Sequence, residues 1–453
     1  MAEKQTASPF IWLGVMLVIG ALALGACSGD GGGVDGAGGG GETGDSVDPS
    51  GSSDGNAVGT LDADDLELVS IGTIDLIDVS LSPDGLRVVG LDDEFGTTED
   101  GTELVAWCVV ELATDDRSCV SGNIPEVGGL FTNFPPVWHP DGEAVAFTAL
   151  GDIYLFDFGT GTVTNVTDDG FVDQSPDGIG NTDSDVAPAW ASPDTLAFMR
   201  TGVSNDGWTN LVDITLDGTV RSSVPSPSFD YTRGDEQRHR AKWMQHWLRP
   251  LVLADGTVVV SGEGELHRVL RDRSGVEVLG DYNEEFAPYA ELYPSLGSAM
   301  PDPVTLPPVA SLGEGRFLLF NQGVRHVINN GHQSGGPSGL FLYDAGADEL
   351  TPILETSPRA DGWIGPVAHA VSPDNRLLFF AWRDPRVRTS QAIASTVFSV
   401  IDLANFTGPV NPHDLDVLYR TDDFVLTLDP LTWAPNNRIV VNFQESAVVF
   451  EAS

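Results

Sequence analysis

The chain has 453 residues, 41% of them hydrophobic and 20% charged, which is enough apolar material for a large folded core. Its 22 Lys and Arg stand against 67 Asp and Glu, a formal net charge of −45 that argues against binding DNA or RNA through phosphates and against docking on anionic lipid. Such a balance fits a solvated acidic surface in a saline or calcium-rich setting, or in a high-GC organism, and three cysteines are too few for a disulfide-built scaffold.

At the N-terminus Lys4 precedes an apolar run from Phe10 to Ala26 that closes in Leu24-Gly25-Ala26-Cys27. The run is too short and too asymmetrically flanked for a stable membrane span, so residues 1–27 are expected to be an export signal. Leu-Gly-Ala-Cys resembles the bacterial lipoprotein processing box. That resemblance implies acylation of Cys27 and a membrane-anchored protein of the outer membrane or cell surface, since Ser28 rather than Asp follows the cysteine. Ordinary secretion and an uncleaved anchor are the alternatives. Residues 28–60 are mostly Gly, Ser, Asp and Glu without an aromatic or a positive charge, and are expected to be a disordered tether that like charges extend.

From residue 61 onward a turn built on Ser-Pro-Asp-Gly, or a degraded form of it, recurs. Its proline falls at Pro83, Pro140, Pro193, Pro373 and Pro435, and a weaker relative is Ala254-Asp255-Gly256. Counted through Asp255 the separations are 57, 53, 62, 118 and 62 residues; 118 is nearly twice 59, so a further copy is expected at Gly313-Glu314-Gly315. Proline presets φ, Asp tolerates the next position and Gly accepts φ > 0, so each copy predicts a type I turn with a bulge between antiparallel strands.

The second unit predicts four short strands in the order Pro136–Trp138, Glu143–Thr148, Asp152–Asp157 and Thr162–Thr167. The seventh, from Leu431 through Phe450, stops one strand short, and residues 66–72 can supply it. The expected fold is all-β: a single propeller at 61–453 with seven four-stranded blades, six or eight being the alternatives, closed by the N-terminal strand.

An aromatic residue, the Ser-Pro-Asp-Gly turn, a β-rich stretch ending in Phe and an Asp-Ile-Tyr-Leu strand, in that order, resemble the TolB-type and WD-like propeller repeat. Residues 136–167 match closely; 78–90, 188–199, 367–381 and 431–443 match in part; 226–360 match poorly. The resemblance implies interaction with other envelope proteins.

Cys108 and Cys119 fall on the expected third and fourth strands of the first blade, where an oxidising compartment favours a disulfide; two separate buried thiols are the alternative. The crossing into the fourth blade carries Arg233, Arg238, His239, Arg240, Lys242, His246 and Arg249, interleaved with Tyr231, Trp243 and Trp247. The loop after the second strand carries Arg325, His326 and His332 in the fifth blade and Arg383, Arg386 and Arg388 in the sixth. Neighbouring blades would thus aim nine of the 21 Lys and Arg that follow Lys4 at one sector of one face. Arginine forks beside aromatics suit an anion or an acidic partner; neutralisation of the protein's own carboxylates is the alternative.

Asp173-Gln-Ser175-Pro-Asp177-Gly-Ile-Gly-Asn181 approximates a calcium-loop spacing; Ser184 stands where a bidentate Glu is expected, with Asp183 and Asp185 as substitutes, and an ordinary solvated turn competes with that reading. No other cofactor is indicated. Residues 61–453 contain no Gly-x-Ser-x-Gly elbow, His-Glu-x-x-His or Cys-x-x-Cys. Trp138, Trp190 and Trp433, just before their turns, read as blade core, and His139 and His369 are expected to lie on strands with structural hydrogen bonds. The function expected is a lipid-anchored binding or scaffolding module, not an enzyme. The competing readings are a sensory propeller for an acidic sugar or organic anion and a propeller enzyme of lyase or lactonase type.

Overall fold

The computed structural model describes residues 61–97, 103–121, 136–149, 151–168, 184–201, 209–225, 250–262, 265–282, 306–321, 325–327, 333–335, 339–355, 364–384, 386, 395–422, 431–443 and 446–453. Two units divide the chain, Met1–Asn56 and Ala57–Ser453, and the expected signal and the whole of the expected tether, residues 1–60, lie outside the described residues.

The second unit is a seven-bladed β-propeller of four-stranded antiparallel sheets. Blade 1 is Ile77–Leu81, Arg87–Thr97, Glu103–Glu111 and Asp116–Ser121; blade 2 is Val137–Trp138, Ala144–Ala149, Asp152–Asp157 and Thr162–Asn165. Blade 3 is Ser184–Ser192, Thr195–Thr201, Thr209–Thr215 and Val220–Pro225; blade 4 is Leu251–Val252, Val258–Gly262, Glu265–Val269 and Val276–Asp281. Blade 5 is Pro308–Gly313, Arg316–Asn321, Gly339–Asp344 and Glu349–Pro352, with a small hairpin, Arg325–Val327 and Gln333–Gly335, inserted after its second strand. Blade 6 is Ile364–Val371, Leu377–Asp384, Ser395–Asp402 and Tyr419–Thr421. Blade 7 is Thr432–Trp433, Arg438–Asn442 and Ala447–Ala452, completed by Leu68–Ile74, which pairs antiparallel with Ala447–Ala452 as expected of a closing strand.

The middle strands are near-continuous apolar runs because both faces of a blade are covered. Leu377–Asp384 is buried at seven of its eight positions. Each apolar cluster lies between consecutive blades, one for every neighbouring pair. The last pair completes the circle: Val440, Ala447 and Val449 of blade 7 pack on Leu76, Val79, Leu81 and Val88 of blade 1. A ring of this kind turns the free edge of each inner strand to the central channel and leaves only the outermost strand of each blade as an edge on the rim. Trp138 and Trp433 are buried, and the half-buried Trp190 packs between blades 2 and 3. The Trp138 and Trp190 indoles each donate to the inner strand of the preceding blade, at Ser80 O (3.0 Å) and Val137 O (3.2 Å).

The turns differ in ways the side chains explain. Gly85 sits at φ 68°, and Asn375 and Asn437, at φ 59° and 63°, occupy the same left-handed position in blades 6 and 7, where Asn is the best-tolerated substitute for Gly. Blade 3 has β-branched Thr195 at that place, and its turn contracts to the two residues between paired Ser192 and Thr195. The copy expected at 313–315 is also a two-residue turn: Glu314 and Gly315 both have positive φ, between paired Gly313 and Arg316, as in a type I′ hairpin. Gly85 has a second constraint. A Cβ there would meet Asn436 Oδ1 of blade 7 at 2.0 Å, while its carbonyl accepts from Asn436 Nδ2 (3.1 Å) and Arg438 Nη1 (2.9 Å).

Candidate functional site

Strands alternate in direction, so the two faces of the ring are built differently. One face carries the short turns after first strands, such as 82–86, 139–143 and 372–376. The opposite face receives the ends of second and fourth strands, and there the connections 122–136, 226–250, 282–307 and 385–394 leave and return. The described strand ends that flank the expected Arg- and His-bearing segments, Pro225, Leu251, Asn321, Gly339, Asp384 and Ser395, lie on this crossing face.

Two carboxylate–arginine groups are described on it. In blade 3 the Arg200 fork donates to Asp185 through Nε (2.7 Å) and Nη2 (2.6 Å), and Asp185 is fully buried. Burial holds the Asp185 carboxyl above its ordinary range against the opposing pull of Arg200. Beside it, Asp152 of blade 2 accepts from Asn165 Nδ2 (2.8 Å) and Thr167 Oγ1 (3.4 Å). In blade 6, Asp384 ends the second strand with its side chain 1% exposed. It accepts from the Arg386 backbone N–H (3.0 Å), Nε (3.0 Å) and Nη2 (3.1 Å), with Arg420 Nη1 at 3.8 Å. Burial pushes Asp384 up, but the hydrogen bonds from Arg386 outweigh it and hold the carboxyl below its usual range; the same contacts raise Arg386. Ser395 Oγ, opening the next strand, donates to Asp422 (3.0 Å).

Of the residues expected to bind an anion, Arg386 is thus gathered onto Asp384. Arg383 lies within the second strand of blade 6, paired in register with Ile364, and burial lowers its pKa from the usual arginine value. Arg325 and His326 lie on the inserted strand Arg325–Val327. Arg233, Arg238, His239, Arg240, Lys242, His332 and Arg388 lie outside the described residues, as do Cys27 and the expected calcium loop with Asp173, Ser175, Asp177 and Asn181. Cys108 and Cys119 face each other in register on adjacent strands, Cα–Cα 4.0 Å, and form a disulfide. Asp92 is close to both sulfurs, but that trio cannot act as a thiolate metal site while the sulfurs are bonded to each other.

His139 falls just past the Val137–Trp138 strand rather than on it, and its ring bridges its own turn at Asp141 to Pro193 O of blade 3 (2.8 Å). His369 lies on the inner strand of blade 6, buried against Phe320 with ring centroids 4.5 Å apart. Sequence reasoning missed the pairing of Asp185 with Arg200, which lie 15 residues apart and meet only through register. The Asp384 and Arg386 pair was visible as Asp-Pro-Arg, two residues apart.

No protein-family model and no curated protein matches the chain. Among solved structures it is similar to an oligogalacturonate lyase from Vibrio parahaemolyticus (10% identity, 85% of this chain and 93% of that one, TM-score 0.49). It is also similar to the β-propeller domain of the Trilobed protease from Pyrococcus furiosus (11% identity, 84% and 95%, TM-score 0.44) and to Porphyromonas gingivalis dipeptidyl peptidase 4 (13% identity, 80% and 48%, TM-score 0.40). These neighbours include enzymes of different classes, and the propeller assignment rests on this chain's own sheet order and closure.

Proposed function

We propose that this protein is an exported lipoprotein, anchored through Cys27, whose TolB-like propeller acts as a protein-binding or scaffolding module through its crossing face. The observation that carries the reading is the asymmetry of the ring: on one face the short turns after first strands and, in blade 6, the 403–418 connection, and on the other the strand ends from which most of the long connections depart, which is where recognition segments sit on a rigid scaffold. Inter-blade staples support that rigidity, among them His139 to Pro193 O and Asn436 to Gly85 O. Arg240 and Arg325, on segments leaving that face, would meet acidic groups of the partner.

The test is affinity capture of the full chain from crosslinked envelopes, comparing wild type with an Arg240→Glu, Arg325→Glu double variant. The reading expects a discrete protein band that the double variant loses. Equal capture by both proteins, or no enrichment over an unrelated lipoprotein, would count against it.

A further inference from the structure

The outermost strand of each blade has one unpaired edge, and proteins usually blunt such edges with charge, proline or short length. Six of the seven edges follow that rule: they carry Arg117, Arg221, Glu277, Glu349 or Arg420, or, at Thr162–Asn165, extend only four residues. The closing strand of blade 7 does not. Leu68–Ile74 reads Leu-Val-Ser-Ile-Gly-Thr-Ile, seven residues without charge or proline and the longest of the edges.

Its residues 69–73 are all exposed, Val69 at 52% and Ile71 at 43%. A Cβ built on Gly72 would meet nothing within 4 Å, so the strand lies open at the point where its ladder bulges between Ser70 and Gly72. Glu67 and Ser453 exchange both backbone hydrogen bonds (3.0 and 3.1 Å). Antiparallel pairs alternate, so Leu68 and Ser70 turn their N–H and C=O away from the ladder, toward the open side.

The charge around this edge has one sign. Asp65 and Glu67 precede the strand, Asp75 follows it, and Glu451 stands on the neighbouring strand, all exposed. A second copy of the chain would bring the same carboxylates together at a net charge of −45. We propose that Leu68–Ile74 is a docking edge for an extended, basic segment of a partner protein, which adds as a fifth strand to blade 7. Backbone hydrogen bonds at Leu68 and Ser70, contact with Val69 and Ile71, and the flanking carboxylates together select such a segment. The edge lies on the rim of the ring, so this docking does not depend on the crossing-face reading.

The probe is a synthetic peptide of about ten residues alternating Lys with Val or Thr, tested on the full chain beside a Glu-for-Lys version and a version N-methylated at alternate residues. Binding is followed by fluorescence anisotropy and located by amide hydrogen exchange. The Lys peptide is expected to bind and to protect residues 67–74, the Glu peptide not to bind, and N-methylation to weaken binding by about tenfold or more. Ser70→Pro removes an outward N–H while sparing the ladder. It is expected to weaken binding about tenfold with the unfolding midpoint unchanged, and Val69→Lys to weaken it likewise. No binding of the Lys peptide, equal binding of the Glu or N-methylated peptide, or protection mapping elsewhere would overturn the proposal. A concentration-dependent dimer protected at residues 67–74 would overturn it too, since the edge would then belong to a second copy.

Discussion

The Asn442 side chain holds both backbone groups of Val79: its Oδ1 accepts from Val79 N–H at 2.8 Å and its Nδ2 donates to Val79 C=O at 3.1 Å. The two residues are 363 positions apart, one on the second strand of blade 7 and one on the inner strand of blade 1. Inner strands have no further strand on their channel side, so a buried carboxamide that mimics a ladder partner satisfies Val79 where the first and last blades meet.

Replacing Asn442 with Leu keeps the branched heavy-atom pattern but leaves a buried N–H and C=O unsatisfied. The expected loss is about 2–4 kcal/mol of unfolding free energy in denaturant titration. A loss below roughly 0.5 kcal/mol would mean that the seam does not need this bond.

Asp78, next to Val79, has φ 51° where the strand bulges, and burial raises its carboxyl pKa to about 6. The folded pKa lies above the unfolded value, so the folded state holds the extra proton between the two. Stability therefore falls as pH rises from about 4 through 6. Asp78→Asn, which tolerates the same backbone region, is expected to gain roughly 1–3 kcal/mol at pH 7.5 and almost nothing near pH 4. A gain independent of pH would show that the carboxyl is not buried as described.

Arg273 of blade 4 reaches across to Asp213 of blade 3 in a bidentate pair, Nε–Oδ2 2.6 Å and Nη2–Oδ1 3.0 Å, with both side chains under 10% exposed. Asp213→Ala strands a buried guanidinium and should cost about 3–5 kcal/mol, whereas Asp213→Leu with Arg273→Met should recover most of that loss. Because the pair is buried, the single-variant deficit should persist in about 1 M salt.

Much of this architecture is legible in local sequence because its determinants are local. Pro, Asp and Gly or Asn at fixed offsets make the turns, β-branched runs make the strands, and the missing strand of the last unit points to the N-terminus. What escapes is set by register between distant segments. Nothing around Asn442 marks it as the partner of Val79. Gly90 reads as an unremarkable strand glycine, yet a Cβ there would meet the Val79 side chain at 2.8 Å where the Asp78 bulge presses on it. The Arg200 fork finds Asp185 only once the two strands are paired. Arg386, assigned from sequence to a face seeking an external anion, has its nearest carboxylate two residues away at Asp384.

The Leu24 to Cys27 box gives a separate expectation. Cys27→Ser should abolish incorporation of a labelled fatty acid and release the protein from membranes, while unfolding of the propeller stays unchanged. Retained label on the variant would place the anchor elsewhere.

The central claim, a ring closed by pairing Leu68–Ile74 with Ala447–Ala452, is tested most directly by thermal unfolding of two truncations. Deleting residues 28–60 should leave the midpoint within about 2 °C of wild type. Deleting residues 28–74 removes the outer strand of blade 7 with its ladder and its contacts at Leu66, and should lower the midpoint by roughly 5–15 °C. Equal midpoints for the two truncations would contradict the closure.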